Sequence, residues 1–184
     1  MQPAAVIIGT RHTFQVGGED CPREHAEALR ELLLNACRNW NLRGIAEEMS
    51  TEGLINYKGT KSVPFSVATT LGLPYRACDP TLSQRALAGI IGPGEVLIDA
   101  KMRGLSDDEA EKRLAVEEIK REGYWLCELQ DQNVWPTLFV CGANHINRFK
   151  SLLDSAGLPA HVLVEDWTPK TTKGATVELN LHSR

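Results

Sequence analysis

Residues 4–8 (AAVII) and 137–141 (TLFVC) form two continuous apolar runs, and each is followed at once by a glycine, Gly9 or Gly142. Runs of this length and composition are typical of strands that are buried on both faces of a parallel sheet. Segments of helical periodicity separate these runs from each other and from weaker ones, which favours βα units with right-handed crossovers. The sequence therefore predicts an α/β fold: a single domain with a mostly parallel central sheet of about four or five strands, flanked by helices.

The remaining elements follow from capping residues and periodicity. Weaker strands are predicted at 44–46, 74–78 and 161–164, and helices at 22–37, 62–71, 81–88, 106–130 and 144–156. The segment 90–105 has no clear period, and we interpret residues 95–100 as extended. We assign residues 1–168 to a single α/β domain and residues 169–184 to a C-terminal tail or edge strand. Its alternating Val177, Leu179 and Leu181 could pair across a sheet edge, so a homodimer is one alternative.

Composition limits the class of protein. The 184 residues carry 20 Lys and Arg against 24 Asp and Glu, and the net charge of −4 argues against a nucleic-acid-binding protein, which usually has a basic face. No apolar run approaches the roughly 20 residues of a membrane span, and the first residues do not resemble a secretory signal. The five cysteines are scattered without a CxxC pair, which argues against disulfides and structural zinc. We expect a cytoplasmic protein with no nucleic-acid or membrane partner.

Polar side chains follow the predicted strands at the edge where parallel sheets bind their ligands. The side chains delivered to this edge are Arg11, His12, Glu47, Glu48, Arg76, Asp79, Asn144 and His145. The first and fourth strands both end in a Gly-x-x-His spacing, in which the glycine allows the sharp turn that carries the histidine to the edge of the sheet. We therefore expect His12 and His145 to lie at one site.

Two imidazoles and a carboxylate at one edge can serve several purposes. Neutral imidazole and carboxylate bind divalent metals such as Mn, Co, Zn or Fe, and His12, Glu47 and His145 would then be the ligands. The same groups can act as general base and general acid around a water nucleophile. A structural role in hydrogen-bonded loops is the third alternative. Neighbouring strand residues point to opposite faces, so only one of Glu47 and Glu48 is expected to enter the site.

These motifs resemble the TraB/Tiki/GumN superfamily, which is related more distantly to the erythromycin esterases and the ChaN-like proteins. Four stretches carry the resemblance: residues 7–12 (IIGTRH), 45–48 (IAEE), 120–125 (KREGYW) and 139–145 (FVCGANH). The first and last are similar to the two Gly-x-x-His motifs of that group, and the second is similar to its strand ending in glutamate. The third resembles a Glu-Arg-Asn-x-x-Trp/Met segment, in which Arg121 and Trp125 match whereas Lys120 and Glu122 depart.

The resemblance implies a hydrolase-like site. Its residues would be His12, Glu47, Arg121 and His145, with Glu48 as the alternative carboxylate. Tiki-like members are metal-dependent proteases, the esterase relatives hydrolyse a lactone with water and no required metal, and ChaN-like members are associated with iron or haem. Arg121 would stabilise an oxyanion or bind a carboxylate or phosphate, because its planar fork suits both. The implied function is water-mediated hydrolysis of a peptide, ester or related bond.

The substrate is expected to be a small molecule or a peptide. The candidate substrate-binding residues are Arg11, Arg76, Asp79 and Asn144. Together with Arg121, the arginines would give this acidic protein a cationic mouth. The alternative function is a non-catalytic α/β module that binds a metal or a small anionic ligand. A nucleotide-binding protein is disfavoured because the sequence contains neither a GxGxxG motif nor a P-loop.

Overall fold

A computed structural model describes residues 2–169 of the chain. The strands are β1 (Ala5–Thr10), β2 (Gly44–Glu47), β3 (Tyr75–Ala77), β4 (Thr137–Gly142) and β5 (Ala160–Trp167). The helices are α1 (His12–Val16), α2 (Arg23–Asn39), α3 (Thr51–Asn56), α4 (Val63–Leu71), α5 (Leu82–Ala88), α6 (Pro93–Met102), α7 (Asp107–Gln132) and α8 (Ile146–Ser155). A short 3₁₀ helix, Ala143–His145, joins β4 to α8.

All five strands run parallel in one sheet, in the order β3-β2-β4-β1-β5. The predicted α/β fold, a parallel sheet flanked by helices, is therefore confirmed. Strand β4 lies between β2 and β1, so the three strands that carry the predicted histidines and glutamates are neighbours. In their register Thr10 lies beside Gly142, and Glu47 lies beside Val140. The carboxyl ends of β2, β4 and β1 therefore meet side by side.

Each face of the sheet is covered by its own apolar layer, because alternate strand side chains point to opposite faces. On β1, Ile8 packs with α2 and α4, whereas Ile7 packs with α7 and α8. On β2, Ile45 belongs to the first layer and Ala46 to the second. Every residue of β1 and β4 is buried, which explains why these two strands form unbroken apolar runs in the sequence.

Helix α7 connects the sheet to the outer helices. Its N-terminus carries a capping box, in which Ser106 accepts from the Glu109 N–H and the Glu109 carboxylate accepts from the Ser106 N–H. The first turns of α7 pack against α6, and its later turns bury Trp125 and Leu129 against the sheet. Arg121 lies one turn before Trp125, so the helix carries this arginine to the carboxyl edge of the sheet.

The prediction of an extended segment at residues 95–100 is wrong, because these residues belong to helix α6. Pro93 stands at the first turn, where its missing N–H costs no hydrogen bond. Val96 and Ala100 lie one turn apart and are buried against α7. Ile98 is exposed on the opposite side of the helix, and such exposed apolar residues conceal the helical period in the sequence.

Two further predictions concern the C-terminal tail and the absence of a membrane-spanning segment. The tail, from residue 170 onward, lies outside the described residues, together with its alternating positions 177–181. Across residues 2–169, no helix combines the length and the apolar character that crossing a membrane requires.

We predict that Gly9→Ala destabilises the fold by about 3 kcal/mol, because a Cβ at this position would lie 1.9 Å from the Glu165 carbonyl oxygen. The obstacle is backbone of β5, which cannot rotate away as a side chain could. The matched control is Gly123→Ala within α7, where a Cβ meets no atom within 4 Å. The control is expected to raise the free energy of unfolding by about 0.5–1 kcal/mol. Urea unfolding followed by circular dichroism measures both, and equal effects would contradict the prediction.

Candidate active site

The carboxylate of Glu48 lies at the centre of the carboxyl edge of the sheet. Glu48 directly follows β2, and its N–H continues the strand pairing by donating to the Val140 carbonyl at 2.8 Å. Its Oε2 accepts a hydrogen bond of 2.8 Å from the Gly142 N–H at the end of β4. A Cβ at residue 142 would lie 3.3 Å from Oε2 and 2.9 Å from the Asn144 side chain, so glycine permits this close approach. The glycine of the second Gly-x-x-His motif therefore helps to hold a buried carboxylate.

The other oxygen of Glu48 is surrounded by cationic and imidazole nitrogens. Oε1 lies 2.8 Å from Nη2 of Arg121, 3.4 Å from Nε2 of His12 and 3.5 Å from Nε2 of His145. It is fully buried, and none of these contacts has the direction of a hydrogen bond. Burial raises the pKa of Glu48, but its contacts with His12 and the positive charge of Arg121 outweigh burial and lower the pKa to about 2. Glu48 is therefore a buried anion held by charges.

Arg121 connects Glu48 to a second carboxylate. Its Nε donates to Oδ1 of Asp79 at 2.5 Å, and Trp125 Nε1 donates to the same oxygen at 3.2 Å. The other oxygen of Asp79 accepts from Arg85 on α5 at 2.9 Å. Burial lowers the pKa of Arg121. The charge of Glu48 and the hydrogen bond to Asp79 outweigh burial and raise this pKa above its usual value, so the guanidinium keeps its charge.

His12 begins α1 and faces Glu48 through Nε2. Its Nδ1 lies 3.1 Å from Oε1 of Gln15, which is one helical turn further along α1. The Gln15 amide nitrogen donates in turn to Oε2 of Glu47 at 2.6 Å. Burial lowers the pKa of His12, but the contact with the Glu48 carboxylate and its negative charge more than compensate, so this pKa is raised above 6.5.

Glu47 points to the opposite layer from Glu48. Its Oε1 accepts from the Ser62 hydroxyl, which caps α4, and from the Tyr75 hydroxyl of β3 at 2.5 Å. Burial raises the pKa of Glu47, and these donors together with Gln15 only partly offset that effect. Glu47 is therefore a fully buried carboxyl group that supports α1, α4 and β3 and reaches the site only through Gln15.

His145 is enclosed behind Glu48. The ring is 3% exposed and packs edge-on against Trp125, with 4.9 Å between ring centres. Its Nδ1 lies 2.6 Å from Oε1 of Glu122, and both Glu122 oxygens accept from Arg148 at 2.7 Å. Burial raises the pKa of Glu122, but the hydrogen bonds from His145 and Arg148 lower it below its usual value. His145 is thus a bridge between two anionic carboxylates, Glu48 and Glu122.

A cavity of about 370 Å³ opens onto this cluster between α1, α3, α5 and the loop after β3. Its acidic and basic lining residues are His12, Glu48, Glu52, Asp79, Arg85 and Arg121. Acidic and basic side chains are present in equal number, so the predicted cationic mouth is wrong. The rim is less polar, since Tyr57 and Leu82 line the cavity and are 37% and 68% exposed. The cavity therefore combines a charged base with a partly apolar entrance.

The structure brings together some of the predicted site residues and separates others. His12, Glu48, Arg121, His145 and Asp79 form one connected cluster.

The remaining predicted residues lie around this cluster or away from it. Asn144 is exposed, and its amide lies 3.3 Å from Nε2 of His145. Arg76 instead pairs with Glu128 on α7 through contacts of 2.5–2.6 Å, and Arg11 is exposed. Neither arginine lines the cavity, so their predicted role in binding substrate has no support in its geometry.

The predicted metal ligands His12, Glu47 and His145 do not converge, because the Glu47 carboxylate faces the other layer. Glu48 does lie between the two imidazoles, but the guanidinium of Arg121 is nearer to Oε1 than either imidazole nitrogen. A metal ion at this oxygen would have to displace a fixed positive charge. Residues 2–169 contain no group of three or more His, Cys, Asp or Glu side chains arranged to hold a metal ion. The residues present therefore do not fit the metal that the resemblance implies.

Sequence reasoning missed the side chains that hold the two imidazoles. Gln15 follows His12 by three residues and Arg148 follows His145 by three, so each supporting residue is one helical turn from its histidine. Glu122, which departs from the family segment, is the hydrogen-bond partner of His145. The repeated spacing of three was a signal that could have identified Gln15 and Arg148 from the sequence.

We predict that Arg121→Met lowers the free energy of unfolding by about 3–5 kcal/mol, because it leaves two buried carboxylates without their shared cation. The matched control is Arg23→Met on α2, whose side chain is 90% exposed and pairs with exposed Glu27. The control should change stability by about 0.5 kcal/mol or less. Urea unfolding at pH 7 provides the comparison, and a loss below about 1 kcal/mol for Arg121→Met would contradict the prediction.

A second prediction concerns the pH dependence of stability. Because the pKa of His12 is raised in the folded state, the stability contributed by its charged form is complete below pH 6.5 and is lost as the pH rises through the folded-state pKa. The difference in unfolding free energy between wild type and His12→Asn should therefore be largest well below pH 6.5 and shrink as the pH rises above 6.5. Denaturant unfolding across this pH range measures it, and a difference that grows with pH would refute the prediction.

Comparisons of the chain with protein-family models, with curated proteins and with solved structures gave no match. The resemblance to the TraB/Tiki/GumN superfamily therefore stays a prediction that rests on four short motifs.

Proposed function

We propose that the protein is a hydrolase in which His12 activates water against a peptide, ester or related carbonyl bond. The observation that carries the proposal is the convergence of His12 and Arg121 on one oxygen of Glu48 at the base of a single cavity. A proton acceptor and a fixed cation then lie next to each other, within reach of one bound molecule. A general base and a group that stabilises the oxyanion both accelerate hydrolysis of a carbonyl bond.

His12 is the proposed general base. In the first step a water molecule attacks the carbonyl carbon and transfers a proton to Nε2, which leaves an imidazolium and a tetrahedral oxyanion. The imidazolium is stabilised by the Glu48 carboxylate, which is already ionised and 3.4 Å away. In the second step the imidazolium returns the proton to the leaving nitrogen or oxygen as its bond to carbon breaks. One imidazole therefore serves as base and then as acid.

Arg121 is the proposed group that stabilises the oxyanion. Its Nε and one Nη contact Asp79 and Glu48, and these two anions hold the guanidinium against the cavity. A guanidinium carries five N–H donors in a rigid plane, so it can keep both carboxylates and still face a developing negative charge. Because the charge is fixed before the reaction, no rearrangement is needed when the oxyanion forms.

His145 is proposed to support Glu48 rather than to contact substrate. It lies behind the carboxylate, does not line the cavity and is nearly closed to solvent. Its role in this scheme is to keep the Glu48 carboxylate in place between His12 and Arg121. The proposed chemistry is therefore more similar to that of the metal-independent esterases than to that of the metal-dependent proteases. The reason is that the Arg121 guanidinium occupies the position next to Glu48 Oε1 where a metal ion would have to bind.

The partly apolar entrance bears on the class of substrate. Tyr57 and Leu82 offer apolar surface at the rim, whereas the lining charges deeper in the cavity balance each other. A carbonyl compound with an apolar group next to the scissile bond fits this arrangement better than a highly charged anion. Binding of such a compound without turnover is the alternative function, and the experiment below separates the two.

The test is turnover by protein dialysed against a chelator, with aromatic and aliphatic esters, lactones and a mixture of short peptides as substrates. On any substrate turned over, we expect His12→Asn to lower kcat by about 10²–10⁴-fold, and Arg121→Lys to lower it by about 10²-fold because the fork is lost. The matched control is His161→Asn, at the start of β5 and the opposite end of the sheet, which should retain full activity.

Circular dichroism establishes that each variant is folded. Full turnover by His12→Asn would refute the proposed base, and activity that returns only when a divalent metal is added would refute the metal-independent scheme. Binding of these compounds by folded wild type with no turnover would favour the ligand-binding alternative.

A further inference from the structure

The side-chain amide of Gln15 has only one orientation that satisfies its surroundings. Its nitrogen lies 3.2 Å from the Glu48 backbone carbonyl oxygen and 2.6 Å from Oε2 of Glu47. A carbonyl oxygen can only accept a hydrogen bond, so the nitrogen must be on this side whatever the protonation state of Glu47. The amide oxygen then faces Nδ1 of His12, at 3.1 Å. Gln15 is fully buried, so no water can replace these partners.

This orientation determines which nitrogen of His12 carries the proton. An amide oxygen has no hydrogen to donate, so Nδ1 of His12 must be the donor. In the neutral ring the other nitrogen, Nε2, then holds the lone pair. Nε2 is the atom that faces Glu48 beside the cavity, and it is the atom a general base would use.

Glu47 holds the Gln15 amide in place by accepting a hydrogen bond from its nitrogen. Its Oε1 accepts from the Ser62 and Tyr75 hydroxyl groups, and the Ser62 oxygen in turn accepts the Phe65 N–H. The remaining oxygen, Oε2, is left to accept from Gln15. Glu47 contacts neither the cavity nor the Glu48 carboxylate, so these hydrogen bonds are its whole connection to the site.

We propose that Gln15 and Glu47 are positioning residues that hold neutral His12 with its proton on Nδ1, leaving Nε2 to exchange protons in the cavity. The effect of this tautomer on turnover rests on the proposed function, whereas the tautomer itself does not. A competing contact favours the other tautomer, because Glu48 Oε1 lies 3.4 Å from Nε2 and would attract a proton to that nitrogen. Without Gln15, neutral His12 would therefore turn to the Nε2–H form, which cannot accept a proton from water at that atom.

A simpler role for Gln15 is to satisfy buried polar groups without any effect on the histidine. The two roles differ in what happens to the imidazole when Gln15 is replaced. Gln15→Met keeps the length of the side chain but offers no acceptor to Nδ1. Glu47→Gln keeps an oxygen for Gln15 and presents its amide nitrogen to two hydroxyl groups, which can accept as well as donate.

The experiment is a ¹⁵N NMR spectrum of the histidine ring nitrogens at a pH above the His12 pKa, with His12→Asn used to assign the signals. In the wild type we expect a protonated Nδ1 and an unprotonated Nε2. The same pattern is expected in Glu47→Gln, and the reverse pattern in Gln15→Met. If Gln15→Met does not fold, the wild-type spectrum alone decides, and an Nε2–H tautomer there overturns the proposal.

Turnover gives the second readout, on any substrate that the wild type hydrolyses. Gln15→Met should lower kcat about tenfold or more with little change in KM, because fewer molecules carry the reactive tautomer. The control His161→Asn, at the opposite end of the sheet, should retain kcat within about threefold. An Nδ1–H tautomer in Gln15→Met overturns the positioning role. A confirmed tautomer in a protein that hydrolyses none of the substrates would leave the positioning role intact and count against the proposed function.

Discussion

A carboxylate that is almost completely buried, Glu48, is the constraint to which the surrounding structure responds. Burying an ion costs several kcal/mol unless other charges and donors compensate, and here they come from four elements. Strand β4 supplies the Gly142 N–H, α7 supplies Arg121, and α1 and the turn after β4 each supply an imidazole. Removing any one of these partners leaves charge in the interior. The carboxylate therefore couples the positions of elements that are far apart in the chain.

The sheet order makes this compensation possible. Because β4 lies between β1 and β2, the two Gly-x-x-His turns and the two glutamates at the end of β2 reach the same edge. The two glutamates then serve different layers: Glu47 joins α1, α4 and β3, whereas Glu48 faces α7. One acidic pair thus supports both sides of the site, with Gln15 linking the two halves through its amide.

The parts of this arrangement that depend on local pattern could be predicted from the sequence. Apolar runs ending in glycine indicated β1 and β4, and their shared edge indicated that His12 and His145 lie at one site. Long-range partners could not be predicted in this way, because nothing in the sequence around Glu122 or Arg148 says that they meet across two helices. The choice between Glu47 and Glu48 was also open, since it depends on where β2 ends and on which helices cover each face. Helix α6 was missed because its buried face is only Val96 and Ala100, next to exposed apolar residues.

If Glu48 organises the site, its charge must control the protonation of His12. Burial alone lowers the pKa of His12, and it is the Glu48 carboxylate that reverses the sign of the shift. The deciding measurement is therefore an NMR titration of the His12 ring in the wild type and in Glu48→Gln, with His12→Asn for assignment. The pKa should lie above 6.5 in the wild type and fall below 6.5 in Glu48→Gln. An unchanged His12 pKa in the folded variant would contradict the role assigned to Glu48.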